Sequence, residues 1–163
     1  MKKLIKKRRI NKTLIISVFI ISFFLGWFSA QDEQLIYFKE TENALVTQVI
    51  DGDTIVIEGG ERVRLLGIDT HEKGEDYYDE AKEFLEGRIL MKEVELEKSV
   101  ENKDGYNRLL RYVWLNGSLI NIELIEEGLA KAYFYNDEEQ YKEIIAEAEK
   151  KAIDKKTGLW KNI

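Results

Sequence analysis

A chain of 163 residues has room for one ordinary domain and not for two. It contains no cysteine and no proline, which excludes a disulfide framework, a thiolate metal site, a lipidated N-terminal cysteine and any X-Pro isomerisation during folding. The formal net charge of −6 hides an asymmetry, because residues 31–163 hold 18 basic against 31 acidic side chains, a net of −13, and so lack the overall basic footprint of most nucleic-acid binders.

The remaining cations stand at the start. Lys2, Lys3, Lys6, Lys7, Arg8, Arg9 and Lys12 fall in a segment without acids, and residues 14–30 follow as an uncharged, mostly apolar run of 17. This is the pattern of a membrane anchor or an export signal, with residues 1–12 held in the cytoplasm by the positive-inside rule. The run lies at the short end for spanning a bilayer and above the usual core of a signal peptide. Cleavage after Ala30 or Ser29 puts Phe28 or Trp27 where a signal peptidase wants a small residue. The favoured reading is a retained transmembrane anchor over residues 13–30 with the domain outside; secretion after cleavage is the alternative. Residues 31–43, of mixed charge and weak periodicity, read as a tether.

From Ala44 the pattern turns to strand. Leu45, Thr47 and Val49 alternate with Val46, Gln48 and Ile50, the Asp51-Gly52 turn leads into Ile55, Val56 and Ile57, and Gly59-Gly60 leads into Val63, Arg64 and Leu65. Tyr78, Ala81, Phe84 and Leu85 recur at helical spacing, and residues 91–98 and 109–115 read as two further strands. Leu119, Ile122, Leu124 and Ile125 predict a second helix stopped by Gly128. Tyr141, Ile144, Ile145, Ala148 and Ala152 predict a third, ending near Gly158. Five strands with three helices interleaved and appended predict an α+β fold, a small Greek-key barrel of the OB type, over residues 44–163.

Three short stretches concentrate the chemistry: Asp51-Gly52-Asp53-Thr54, residues 64–72 (RLLGIDTHE), and Asp104-Gly105-Tyr106-Asn107-Arg108. Taken singly each is ordinary, since Asp-Gly is common hairpin punctuation and an arginine on a strand is usually solvated. Together they carry a requirement of phosphodiester hydrolysis. A hard divalent cation such as calcium takes carboxylate and carbonyl oxygens, which Asp53, Asp69 and the Thr70 main chain offer from two strand ends. Arg64 and Arg108 offer the positive charge that clamps a phosphate under attack.

These stretches, with residues 126–135 (EEGLAKAYFY) and the closing Gly158-Leu159-Trp160, resemble the staphylococcal nuclease family over residues 44–160. The resemblance implies Asp53 and Asp69 as calcium carboxylates, the Thr70 carbonyl as a further ligand and Asp51 as an outer-shell acid. It implies Glu72 as the group that holds or deprotonates the attacking water, and Arg64 and Arg108 as the phosphate clamps. Tyr133 and Tyr135 match the tyrosines lining the nucleotide pocket, once a one-residue gap is placed before Tyr133. The implied activity is a calcium-dependent nuclease acting on DNA and RNA and leaving 5′-hydroxyl and 3′-phosphate ends, and a monomer is expected.

The chain also departs from the family. His71, the only histidine, stands where the family usually has proline; it is given no chemical role and is expected to loosen the loop that presents Asp69, Thr70 and Glu72. Gly105 stands where a lysine is frequent, and Asn107 replaces the glycine before the second arginine, a position asparagine tolerates. Core packing must claim at least one of Tyr133, Phe134 and Tyr135. The rival reading is a catalytically silent OB-type module that binds single-stranded nucleic acid or a protein partner at the cell surface. The acidic body favours it, and the joint presence of Asp53, Arg64, Asp69, Glu72 and Arg108 speaks against it.

Overall fold

In the computed structural model, which describes residues 40–135 and 140–162, the domain opens with strand β1 (Thr41–Val49), three residues before the alternation that begins at Ala44. The first half of β1 pairs with β5 (Glu93–Lys103) and its second half with β2 (Thr54–Ile57). Between the halves lies a bulge at Thr47, where the register steps from Val46 opposite Ile57 to Gln48 opposite Val56. One unpaired residue reverses the facing of everything beyond it. Val46 and Val49 therefore both enter the core, where strict alternation predicts opposite faces.

Strand β3 (Arg62–Leu65) pairs antiparallel with β2, and β6 (Leu109–Leu115) pairs antiparallel with β5. The ring closes where β3 and β6 meet in parallel, Val63, Arg64 and Leu65 lying opposite Leu109, Leu110 and Arg111. The result is the five-stranded OB-type barrel expected from the sequence. Three short strands are added outside it: β4 (Ile68–Thr70) pairs with β8 (Ala130–Ala132), and β7 (Ser118–Leu119) pairs with the end of β6.

Helix α1 (Tyr78–Ile89) buries Ala81, Leu85 and Ile89 on one stripe. Helix α2 (Ile120–Glu126) buries Ile120, Leu124 and Ile125, and helix α3 (Lys142–Asp154) buries Ile145, Ala148 and Ala152. Ile144, counted with the apolar stripe of α3 from its spacing, is half-exposed. The buried side chain of Asn121 ties α2 to the barrel: its Oδ1 accepts from the Val113 N–H at 2.9 Å and its Nδ2 donates to the Leu66 carbonyl at 2.8 Å. That second bond fixes the turn between β3 and β4.

Beyond α2 the chain turns at Gly128 (φ 64), whose N–H returns to the Ile125 carbonyl while that of Leu129 returns to Leu124. The Leu159 N–H donates to the Gly128 carbonyl at 2.8 Å, and a Cβ on Gly128 would stand 2.3 Å from the Thr157 carbonyl oxygen. The 3₁₀ turn Gly158–Trp160 is thus clasped main chain to main chain against the stop of α2, just ahead of β8. Among the described residues no helix is long and apolar enough to cross a membrane. Residues 13–30, read as a transmembrane anchor, lie outside them.

Candidate active site

The turn between β1 and β2 is drawn tight by the Ile50 N–H donating to the Thr54 carbonyl at 2.9 Å and by the Asp53 N–H donating to Asp51 Oδ1 at 3.1 Å. Gly52 leaves no room for a side chain, since a Cβ there would lie 2.7 Å from Ala81 Cβ and 2.8 Å from Thr70 Cγ2. This close approach seats the turn on α1 and β4 and delivers Asp53 to the mouth of the barrel. Asp53 is almost fully buried and fully engaged. Its Oδ1 accepts from the Thr54 hydroxyl at 3.0 Å, and its Oδ2 accepts from the Thr70 N–H and the Thr70 hydroxyl, both at 3.0 Å. Thr70, expected through its carbonyl, therefore also holds Asp53 through its donors.

Arg64, buried on β3, is anchored from behind. Its Nη1 donates to the main-chain carbonyls of Leu65 and Ile68, both at 2.8 Å, while Nη2 turns forward to Asp69 Oδ1 at 2.7 Å and Asp53 Oδ2 at 3.2 Å. Two carboxylates thus share one guanidinium. Burial, and then the charge of Asp53, holds the Asp51 carboxyl above its ordinary value, against hydrogen bonds from the Asp53 and Thr54 main chain and the Thr54 hydroxyl that pull it down.

The opposite side of the cleft is carried on loops. After β4 the chain closes a turn in which the Glu75 N–H donates to the Glu72 carbonyl at 2.9 Å and the Glu72 N–H donates to Glu75 Oε2 at 2.7 Å. The His71 ring reaches across the same turn, its Nδ1 standing 2.7 Å from the Asp76 carbonyl; that oxygen only accepts, so Nδ1 carries the proton. The loosening expected from the loss of proline is thereby offset by a side-chain bond. The Glu72 carboxylate itself is exposed and has no hydrogen-bond partner among the described residues.

Arg108 lies just ahead of β6, two residues before the Leu110 that stands opposite Arg64 across the closing seam. Its Nε donates to Asp104 Oδ2 at 2.7 Å and its Nη1 to the Thr54 hydroxyl at 3.3 Å. Asn107 takes φ 63, the left-handed conformation expected of it where the family has glycine. Burial works to raise the Asp104 carboxyl, but the N–H groups and guanidinium of Arg108 and the N–H of Tyr106 outweigh it and hold the group below its ordinary value. Tyr133 and Tyr135 follow β8, half-exposed and edge to face with centroids 5.2 Å apart, while Phe134 between them packs against the core. The core thus claims the middle residue of the three. Burial holds the Tyr135 phenol above its ordinary value against the pull of Arg64 and Arg108.

Asp51, Asp53, Arg64 and Asp69 line one cleft of about 270 Å³ together with Glu72, Arg108, Tyr133 and Tyr135. Of the site residues singled out in the sequence, Thr70 does not line it but adjoins it through its bonds to Asp53. A larger hollow of about 430 Å³ lies between Asn43, Glu93, Glu95, Trp114 and Asn116, with no cation in its lining, which repels a phosphate and leaves the smaller cleft as the place for one. Sequence reasoning gave no role to Thr54, whose hydroxyl stands between Asp53 and Arg108, nor to Asp104. The second was signalled by its spacing of four residues from an arginine.

A small barrel whose open end gathers acids and two arginines into one cleft defines a hydrolase of phosphodiesters. Residues 62–162 match the family model described as staphylococcal nuclease homologue. The chain belongs to the staphylococcal nuclease family. It is similar to the thermonuclease of Staphylococcus intermedius, at 41% identity over 128 residues covering 73% of this chain and 76% of that protein. It is similar to the thermonuclease of Staphylococcus hyicus at 37% over 126 residues, covering 72% and 75%. Endonuclease YncB of Bacillus subtilis is 34% identical over 136 residues, covering 75% of this chain and 63% of that protein. The chain is accordingly a nuclease with a nucleic-acid substrate, and the catalytically silent module is set aside.

Proposed function

We propose that this nuclease is calcium-dependent, cleaves both DNA and RNA, and leaves 5′-hydroxyl and 3′-phosphate ends. One observation carries the reading: Asp53, Asp69, Arg64, Arg108 and Glu72, far apart in sequence, line a single cleft. The donor set fits a hard cation in kind, because Asp51, Asp53 and Asp69 all line the one cleft and offer only oxygen donors. Among the described residues no three Asp, Glu, His or Cys side chains converge as a ready cage. Asp53 and Asp69 would hold the ion with the Thr70 carbonyl and water, Asp51 acting through a water behind them. When bound, calcium supplies Lewis-acid polarisation of the scissile phosphate.

The protein's own groups divide the remaining work. Glu72, whose carboxylate has no competing partner among the described residues, holds the attacking water and takes its proton. The water oxygen bonds to phosphorus, the bond from phosphorus to the 5′-oxygen breaks, and that oxygen takes a proton from solvent while Glu72 later returns its own to solvent. Arg64 and Arg108 donate to the phosphate oxygens whose charge grows in between. Tyr133 and Tyr135 offer faces on which a base or sugar rests, a contact that favours unpaired strands. Because the body is acidic, affinity for long polynucleotides is modest and falls with salt.

The test is cleavage of denatured DNA and of RNA by the full-length protein in calcium, in magnesium and in chelator. Calcium is expected to support cleavage, chelator to abolish it, and magnesium to restore it poorly, since a flexible oxygen shell suits the larger ion. Equal rates in magnesium, or undiminished rates in chelator, overturn the metal assignment. We further propose a monomer held to the membrane through residues 13–30, with its domain on the outer face. Mass measurement of the mature chain tests the anchor, because recovery from the medium of a chain beginning near Gln31 would make it a cleaved export signal.

A further inference from the structure

We propose that Asp104 is the positioning residue that aims Arg108 at the substrate phosphate, with its two carboxylate oxygens dividing the task between the loop and the guanidinium. The inference rests on the reading that Arg108 acts on that phosphate. Oδ1 accepts the N–H of Tyr106 and the N–H of Arg108, both at 2.9 Å, and so folds residues 104–108 into a closed turn. Two main-chain bonds complete the turn, from the Asp104 N–H to the Arg108 carbonyl and from the Asn107 N–H to the Asp104 carbonyl, both at 3.0 Å. Oδ2 accepts the Arg108 Nε at 2.7 Å.

An arginine side chain has four rotatable bonds, and one held only by its far end would sweep a wide arc. Here the main-chain N–H and Nε of the same residue are pinned by one partly buried carboxylate, so the intervening bonds are fixed at both ends. With Nε taken, Nη1 and Nη2 remain for the phosphate, and Nη1 already stands 3.3 Å from Thr54 Oγ1, which donates to Asp53. Arg108 is thereby registered against the acid side of the cleft. The arrangement has an electrostatic drawback that argues for orientation as its purpose. A carboxylate at 2.7 Å subtracts from the positive charge that attracts phosphate. A group kept for ground-state affinity would not be neutralised this way.

Kinetics of the full-length protein on a denatured DNA substrate test this through Asp104→Asn, which keeps an oxygen for the two main-chain N–H groups and places an NH₂ against Nε. The expected result is a melt near that of the wild type and a kcat lowered on the order of 10- to 100-fold, as for a misplaced catalytic group, with KM unchanged or lower because a competing negative charge is gone. In an Arg108→Ala background the same change is expected to lower kcat no further, since Asp104 acts through Arg108. Wild-type kcat in Asp104→Asn beside a crippled Arg108→Ala overturns the inference and leaves Asp104 a turn-former. Equal fold losses with and without Arg108 overturn it as well. Wild-type turnover in Arg108→Ala removes the phosphate role from Arg108 itself, and with it anything for Asp104 to aim.

Discussion

On the strand side of the cleft Asp53 and Arg64 are buried and each is held from several elements, by Thr54, Thr70 and the carbonyls of Leu65 and Ile68. On the loop side the Glu72 carboxylate is exposed without a partner among the described residues, Tyr133 and Tyr135 are half-exposed, and Arg108 leans on one carboxylate. On the proposed function, the barrel fixes the charged groups that must not move and leaves on loops those that meet a substrate of changing shape. Substitutions on the strand side should lower both stability and rate, and those on the loop side chiefly rate.

The largest effect is expected of Arg64→Ala. It should lower kcat by a factor on the order of 10² to 10³ and stability by roughly 3 kcal/mol, because Asp53 is left buried without its cation. Arg108→Ala and Glu72→Gln should lower kcat comparably while melting near the wild type. Denaturant melts beside kcat measurements decide it, and an Arg64→Ala protein as stable as the wild type would erase the distinction between the two sides. Gly52→Ala comes next, since its Cβ must displace Ala81 or Thr70. A loss of about 1 to 3 kcal/mol is expected in the melt, with kcat down about 100-fold as Asp53 shifts.

A smaller effect sharpens the loop side through pH. Asp104 has its folded value lowered, so its stabilising contribution is complete above the unfolded carboxylate value near 4 and fades as pH falls through the folded one. The melting-temperature difference between wild type and Asp104→Ala should therefore be constant from pH 7 to about 5 and shrink below about 4. A difference that widens in acid would reverse the sign. The smallest effect is expected of His71→Ala, whose lost bond of about 1 kcal/mol should lower kcat roughly fivefold. His71→Asn, which keeps a donor near the Nδ1 position, should recover most of it.

What was legible in the sequence followed periodicity and motif spacing. The five strands, three helices and the Gly128 stop were all written in local pattern, and the residues of the cleft in three short stretches. The bulge at Thr47 was not, because one extra residue in a strand is invisible until a partner strand fixes the register. The burial of Arg64 was missed for a related reason: an arginine on a strand looks solvated until β4 and the turn before it cover it with carbonyls. Sequence alone likewise could not say which of Tyr133, Phe134 and Tyr135 packs inward, since all three are aromatic and β8 stops short of them. Buried Arg111, bonded to Glu42, Asn102 and the Leu110 carbonyl, carries no signal that separates it from Arg64, though it lies outside the cleft.

The parallel seam between β3 and β6 means that an unfolded chain carries every side chain of the cleft and no cleft. Arg64 and Arg108 line one cleft across the closed ring, and no local segment holds both. Hydrolytic power is therefore tied to completion of the fold as a safety catch is tied to a closed bolt. The proposed site is thus a product of the closed ring and of no single segment of the chain.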